Sequence, residues 1–74
     1  MQNNTMKQHD LLNTLCEAYP NIFTVTLNLR DKRVIISVSK NYWTKIYEYE
    51  VFMQTDTTAL AKEILNEYRN ARTL

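Results

Sequence analysis

The stretch Lys40-Asn41-Tyr42-Trp43-Thr44-Lys45-Ile46-Tyr47-Glu48-Tyr49-Glu50-Val51-Phe52-Met53 concentrates the aromatic residues of this chain. From Lys45 onward it reads as a strand over residues 45–53. Tyr47, Tyr49, Val51 and Met53 form one alternating set; Ile46, Glu48, Glu50 and Phe52 form the other. The two glutamates decide the orientation, because burying unpaired carboxylates is costly. Tyr47 and Tyr49 are therefore expected to face a core, with Ile46 and Phe52 on an open face beside Ile35. Trp43 either folds back over an open end of that core or stands out as an anchor for a partner.

Upstream, residues 23–29 alternate strictly, with Phe23, Val25, Leu27 and Leu29 apolar and Thr24, Thr26 and Asn28 polar. This predicts a half-buried strand rich in β-formers. Residues 34–39 repeat the pattern, with Val34, Ile36 and Val38 inward. The polar turn Arg30-Asp31-Lys32-Arg33 joins the two. Pairing Leu29 with Val34 sets Leu27 opposite Ile36 and Val25 opposite Val38, so both apolar sets share one face. With no glycine in the chain, left-handed turn positions fall to Asp31 and Asn41.

A helix is predicted on either side of these strands. Leu11, Leu12, Leu15 and Tyr19 recur at helical spacing within residues 6–19. Thr5 and Gln8 fit a capping box, and Pro20 closes the helix. Leu60, Ala61, Ile64, Leu65 and Tyr68 mark a second helix over residues 57–72, capped by Thr55 or Asp56, with Arg69 and Arg72 at its cation-favouring end. Residues 1–4 read as a loose tail. The expected fold is a single α+β domain over residues 1–74, in the order α-β-β-β-α. Two helices cover one face of a three-stranded antiparallel meander. The open face would carry Thr24, Thr26, Ser37, Ser39, Glu48 and Glu50.

Composition narrows the chemistry. The absence of glycine excludes glycine-rich phosphate loops, dinucleotide fingerprints and nucleophile elbows. A single cysteine, Cys16, excludes an internal disulfide and a cysteine-rich metal site. His9, the one histidine, stands two helical turns from Cys16 with no third ligand in view, so no metal or cofactor is expected. Ser37 and Ser39 lie within a strand, and Glu48 and Glu50 lie on a flat face rather than in a cleft. An enzyme is therefore not expected. The polar N-terminus and the lack of a long apolar run predict a soluble, cytoplasmic protein with no membrane partner. A net charge of +1 leaves electrostatic recognition to local patches.

Two groups of basic residues stand out. Arg30, Lys32 and Arg33 mark the first turn. Lys40 and Lys45 flank the second, where the last helix would bring Arg69 and Arg72. Together with Tyr42 and Trp43, the second group would form a basic-aromatic patch, a composition enriched at protein interfaces and suited to stacking on nucleic acid.

The order α-β-β-β-α over residues 5–72 resembles the double-stranded RNA-binding domain in topology. That resemblance implies RNA contacts from the first helix, from the loop matched here by Arg30-Asp31-Lys32-Arg33, and from a lysine-rich start to the second helix. Here that start reads Asp56-Thr57-Thr58-Ala59-Leu60-Ala61-Lys62, with one lysine. The layout is also similar to that of small phage-encoded inhibitors, including some anti-CRISPR proteins. The leading expectation is a non-enzymatic protein-binding module, an inhibitor or adaptor of phage or mobile-element type, using Tyr42, Trp43, Lys45, Ile46 and Phe52. The alternative is a nucleic-acid-binding module using Arg30, Lys32, Arg33, Lys40, Arg69 and Arg72. A homodimer through Ile35, Ile46 and Phe52 is compatible with either.

Overall fold

The computed structural model describes residues 4–38 and 42–72. Its elements are α1 (Asn4–Ala18), β1 (Phe23–Asn28), β2 (Arg33–Val38), β3 (Trp43–Glu48), α2 (Tyr49–Gln54) and α3 (Thr57–Arg72). The strands form one open antiparallel sheet in the order β1-β2-β3, giving an α+β fold. Among the described residues, no helix is long and apolar enough to cross a membrane.

The sheet is one-sided, as its alternation requires. Val34, Ile36 and Val38 of β2, Phe23 of β1 and Tyr47 of β3 are buried on one face. Leu11 and Leu15 of α1 and Leu60, Ala61, Ile64 and Tyr68 of α3 close over them. The two long helices run in the same direction. Near their starts, Lys7 Nζ donates to the Thr55 carbonyl at 2.6 Å. At their far ends, the Tyr19 and Tyr68 rings meet edge-on at 5.2 Å. Asp56 caps α3, its carboxylate accepting from the Thr58 N–H at 3.0 Å.

The third strand is shorter than its alternation suggests. It ends at Glu48, and the chain turns into α2 instead of continuing to Met53. Phe52 consequently lies in the core at 1% exposure, not on the open face. Tyr49 and Met53 pack against the same core from the helix rather than from a strand. Tyr49, Phe52 and Met53 stand at i, i+3 and i+4, which is one face of a helix; Glu50, Val51 and Gln54 are exposed. Lys7 secures the short helix, reaching the carbonyl groups at its C-terminal end with its ammonium 5.6 Å from the Phe52 ring centroid.

The register of β1 on β2 also differs, by two residues. Leu27 pairs with Val34 and Val25 with Ile36. Asn28 closes the ladder because its side chain builds the turn. Its Oδ1 accepts from the Asp31 N–H, and its Nδ2 donates to the Asp31 carboxylate, both at 3.2 Å. Leu29 moves to the tip, where it is 67% exposed. A shift of two leaves every side chain on its expected face. The left-handed residue of this turn is Lys32 (φ 55°), not Asp31; among the described residues Asn21 (φ 63°) is the other. Asn41 lies outside the described residues. Thr5 lies inside α1 rather than just before it, and the Gln8 amide donates to the Val25 carbonyl. Of the expected tail, Asn4 opens α1 and residues 1–3 lie outside the description.

Phe52→Ala should therefore cost about 3–5 kcal/mol, as for other buried phenylalanines. A domain holds only roughly 5–15 kcal/mol in all, so a large drop in the urea midpoint followed by circular dichroism is expected. Ile46→Ala, at a residue 54% exposed, should stay within about 0.5 kcal/mol of the parent.

Candidate functional site

The aromatic side chains gather at the end of the sheet where α1 and α3 finish. Tyr19 is held there by the end of α1, its N–H still bonded to the Leu15 carbonyl at 3.0 Å. Phe23 opens β1, Trp43 opens β3, and Tyr68 lies in the last turns of α3. The four rings form a mutual edge-to-face cluster, with centroids 5.2–6.4 Å apart. Trp43 is half-buried and packs against the core through Phe23 and Tyr68. It closes the open end of the core.

Outside the cluster lies a groove of about 560 Å³ lined by Tyr19, Ile22, Val38, Tyr42, Tyr68 and Arg72. Tyr42 is 69% exposed. Arg72 places its guanidinium 5.7 Å from the centroids of both Tyr19 and Tyr68. Arg69 lies 5.9 Å from the Tyr19 centroid, and its Nε–H donates to the Tyr19 hydroxyl at 3.3 Å. That hydrogen bond, with the nearby positive charge of both arginines, holds the Tyr19 phenol below its ordinary pKa. Among the described residues, neither arginine has a carboxylate within ion-pair distance.

The remaining expected site residues are dispersed. Lys45 lies on the helix side of the sheet, bound to Glu67 at 2.9 Å and 5.0 Å from the Tyr47 ring centroid. The expected surface of Tyr42, Trp43, Lys45, Ile46 and Phe52 is thus not contiguous. Tyr42 borders the groove, Trp43 and Lys45 face inward, Phe52 is core, and Ile46 lies alone on the open face beside Ile35. Arg30, Lys32 and Arg33 gather at the tip of the first hairpin, at the opposite end of six-residue strands, a separation of about 20 Å from Arg69 and Arg72. Lys40 lies outside the described residues. Tyr19, Ile22, Val38 and Tyr68 join the site without having been singled out. Tyr68 and Arg72 are spaced i, i+4 on α3, the one signal in the sequence that could have paired them.

Tyr47 is the other perturbed phenol. It is buried beneath β3, and its hydroxyl donates to Glu63 Oε1 at 2.5 Å. Burial, reinforced by the Glu63 hydrogen bond and charge, drives its pKa well above the ordinary tyrosine value. Cys16 is half-buried and His9 exposed. Among the described residues, no three His, Cys, Asp or Glu side chains lie close enough together to hold a metal ion. No family model, curated protein or solved structure matches the chain.

The two phenols act oppositely on stability at alkaline pH. Above the ordinary tyrosine value of 10.0, the unfolded chain releases the Tyr47 proton while the folded chain keeps it. The unfolded state then binds fewer protons, and stability falls as pH rises. Tyr19, released earlier in the folded state, contributes stability as pH rises towards that value. Tyr47→Phe should flatten the alkaline loss relative to the parent in urea melts across this range. An unchanged alkaline limb would show that Tyr47 is not held protonated.

Proposed function

We propose that this chain is a small non-enzymatic module that binds another protein, as an inhibitor or adaptor, and that the groove at the Tyr19–Tyr42 end is its contact surface. The observation that carries the reading is the state of Arg69 and Arg72, two guanidinium groups resting on tyrosine rings with no acid beside them among the described residues. A guanidinium on an exposed ring gains only about 0.5–1 kcal/mol, so it remains available for the stronger bidentate pairing with a carboxylate. The aromatic wall beside it suits an apolar or aromatic side chain, and tyrosine with arginine is the usual chemistry of interface hot spots. The matching partner is a protein segment that carries acidic residues next to a bulky apolar one.

Nucleic acid is the less well supported partner. A phosphate backbone needs a continuous basic track, whereas the hairpin-tip cations and the groove arginines occupy opposite ends of the sheet. The start of α3, where the RNA-binding family it resembles carries lysines, is capped here by Asp56.

Trp43 reports on this site, because its ring meets Tyr68 of the groove wall at 5.7 Å. Its fluorescence should change on titration with a glutamate-rich peptide bearing a phenylalanine. Arg72→Ala or Tyr42→Ala should weaken that binding by about tenfold or more, the scale of a hot-spot residue. A response to duplex RNA that falls steeply with salt, in place of a response to the peptide, would favour the nucleic-acid reading. Silence towards both would remove the groove as the contact.

A further inference from the structure

The two edges of the sheet are unequally protected. The Tyr49 N–H donates to the Lys32 carbonyl at 2.8 Å, one step beyond the Arg33–Glu48 pair. Hydrogen-bonded pairs alternate in an antiparallel ladder, so Val34–Tyr47, Ile36–Lys45 and Val38–Trp43 are the bonded pairs of β2 and β3. Thr44, Ile46 and Glu48 therefore turn their backbone N–H and C=O groups away from the sheet. The same alternation on the other side turns those of Phe23, Val25 and Leu27 outward from β1. There α1 guards the edge, with the Gln8 amide donating to the Val25 carbonyl at 3.4 Å. On β3, nothing among the described residues meets the outward groups of Thr44 and Ile46 or the N–H of Glu48, whose carbonyl opens α2 as its N-cap.

We propose that β3 pairs with β3 of a second copy of this chain, antiparallel about a two-fold axis through Ile46, to make a six-stranded sheet. The argument for a second copy is that β3 is complementary to itself in this register. Ile46 meets Ile46 of the other copy, Thr44 meets Glu48, and Lys45 meets Tyr47, the ring type over which it already lies in its own chain. No like charges oppose one another, both groups of Ile46 and the N–H of Glu48 find bonded partners, and Thr44 shares the Glu48 carbonyl with α2. Registers with the axis through Glu48, Lys45 or Thr44 are worse. An axis through Glu48 sets two carboxylates face to face, an axis through Lys45 sets two ammonium groups face to face, and an axis through Thr44 leaves Glu48 beyond the ladder. The Thr26–Ile35–Ile46 row of the open face then continues into the same row of the second copy. Four isoleucines become neighbours, and Ile46, 54% exposed in the single chain, gains cover. A two-fold pairing of one patch with itself closes on a dimer, because the protected β1 edges are left at the two ends.

Light scattering over a concentration series should show a mass rising from 8.8 kDa towards twice that value. Ile46→Lys should hold the chain monomeric with an unchanged circular dichroism spectrum. For a register-specific test, Ile46→Cys in a Cys16→Ser background should cross-link to itself through a short bis-maleimide, because the paired Cα atoms would be about 5.5 Å apart. Thr24→Cys in the same background, on the far strand, should not. A monomer at every concentration up to the high micromolar range would overturn the proposal. So would a dimer that survives Ile46→Lys, or cross-linking as efficient from position 24 as from position 46.

Discussion

A three-stranded sheet with one apolar face is stable only if that face is covered along its whole length, and the rest of this structure follows from that requirement. A chain of 74 residues buries only about 60% of its unfolded surface, so no part of the face can be left wet. The middle is met by Leu11, Leu15, Leu60 and Ile64, all at 0% exposure. The two ends need separate closures. At the hairpin end, β3 stops early and α2 brings Phe52 beneath the strands. At the other end, Trp43, Phe23, Tyr19 and Tyr68 stack edge-to-face over the opening. Each fully buried large side chain contributes about 1.5–3 kcal/mol, and either closure is large enough on that scale to decide whether the domain folds.

The parts of this arrangement that obey a single period can be read directly from the residues. Phe23 to Leu27 and Val34 to Val38 alternate cleanly, and the leucines of α1 and the apolar stripe of α3 recur at helical spacing. Each of these elements therefore formed where its pattern indicates. The difficulty lies where two periods overlap. Tyr47, Tyr49, Val51 and Met53 satisfy the strand period, while Tyr49, Phe52 and Met53 satisfy the helical one. The competition is settled by tertiary demand, because only the helix brings Phe52 under the open end of the core. The register of the first hairpin was hidden for a different reason. Alternation specifies the face but not the rung, and the rung was chosen by the Asn28–Asp31 turn.

The groove was harder to read than the fold because it depends on contacts remote in the chain. Tyr19 and Arg69 are 50 residues apart, and nothing in local spacing announces their meeting. Individual residue types gave partial hints. Tyr42, Arg69 and Arg72 were suspect as basic and aromatic groups near one end of the sheet, and they do lie there. Lys45 and Trp43 carried the same composition and turned inward, because inward-facing positions of β3 had to close the core and engage α3 through Glu67.

That division separates what holds the domain together from what is left available. Side chains on the inner face of β3 are committed: Trp43 to the aromatic cluster, Lys45 to Glu67, Tyr47 to Glu63. Their removal would loosen the packing before it could report on any partner. Arg69, Arg72 and Tyr42 belong to another class. The guanidinium groups rest on tyrosine faces worth a fraction of a kcal/mol to about 1 kcal/mol each, and Tyr42 leaves most of its ring in solvent. The Arg69 hydrogen bond that lowers the pKa of Tyr19 also ties the phenol to the end of α3 at the groove wall. A small domain with little stability to spare gains from this separation, since Arg69, Arg72 and Tyr42 can be altered without unfolding the core that carries them, whereas Val38 and Tyr68 of the same groove cannot.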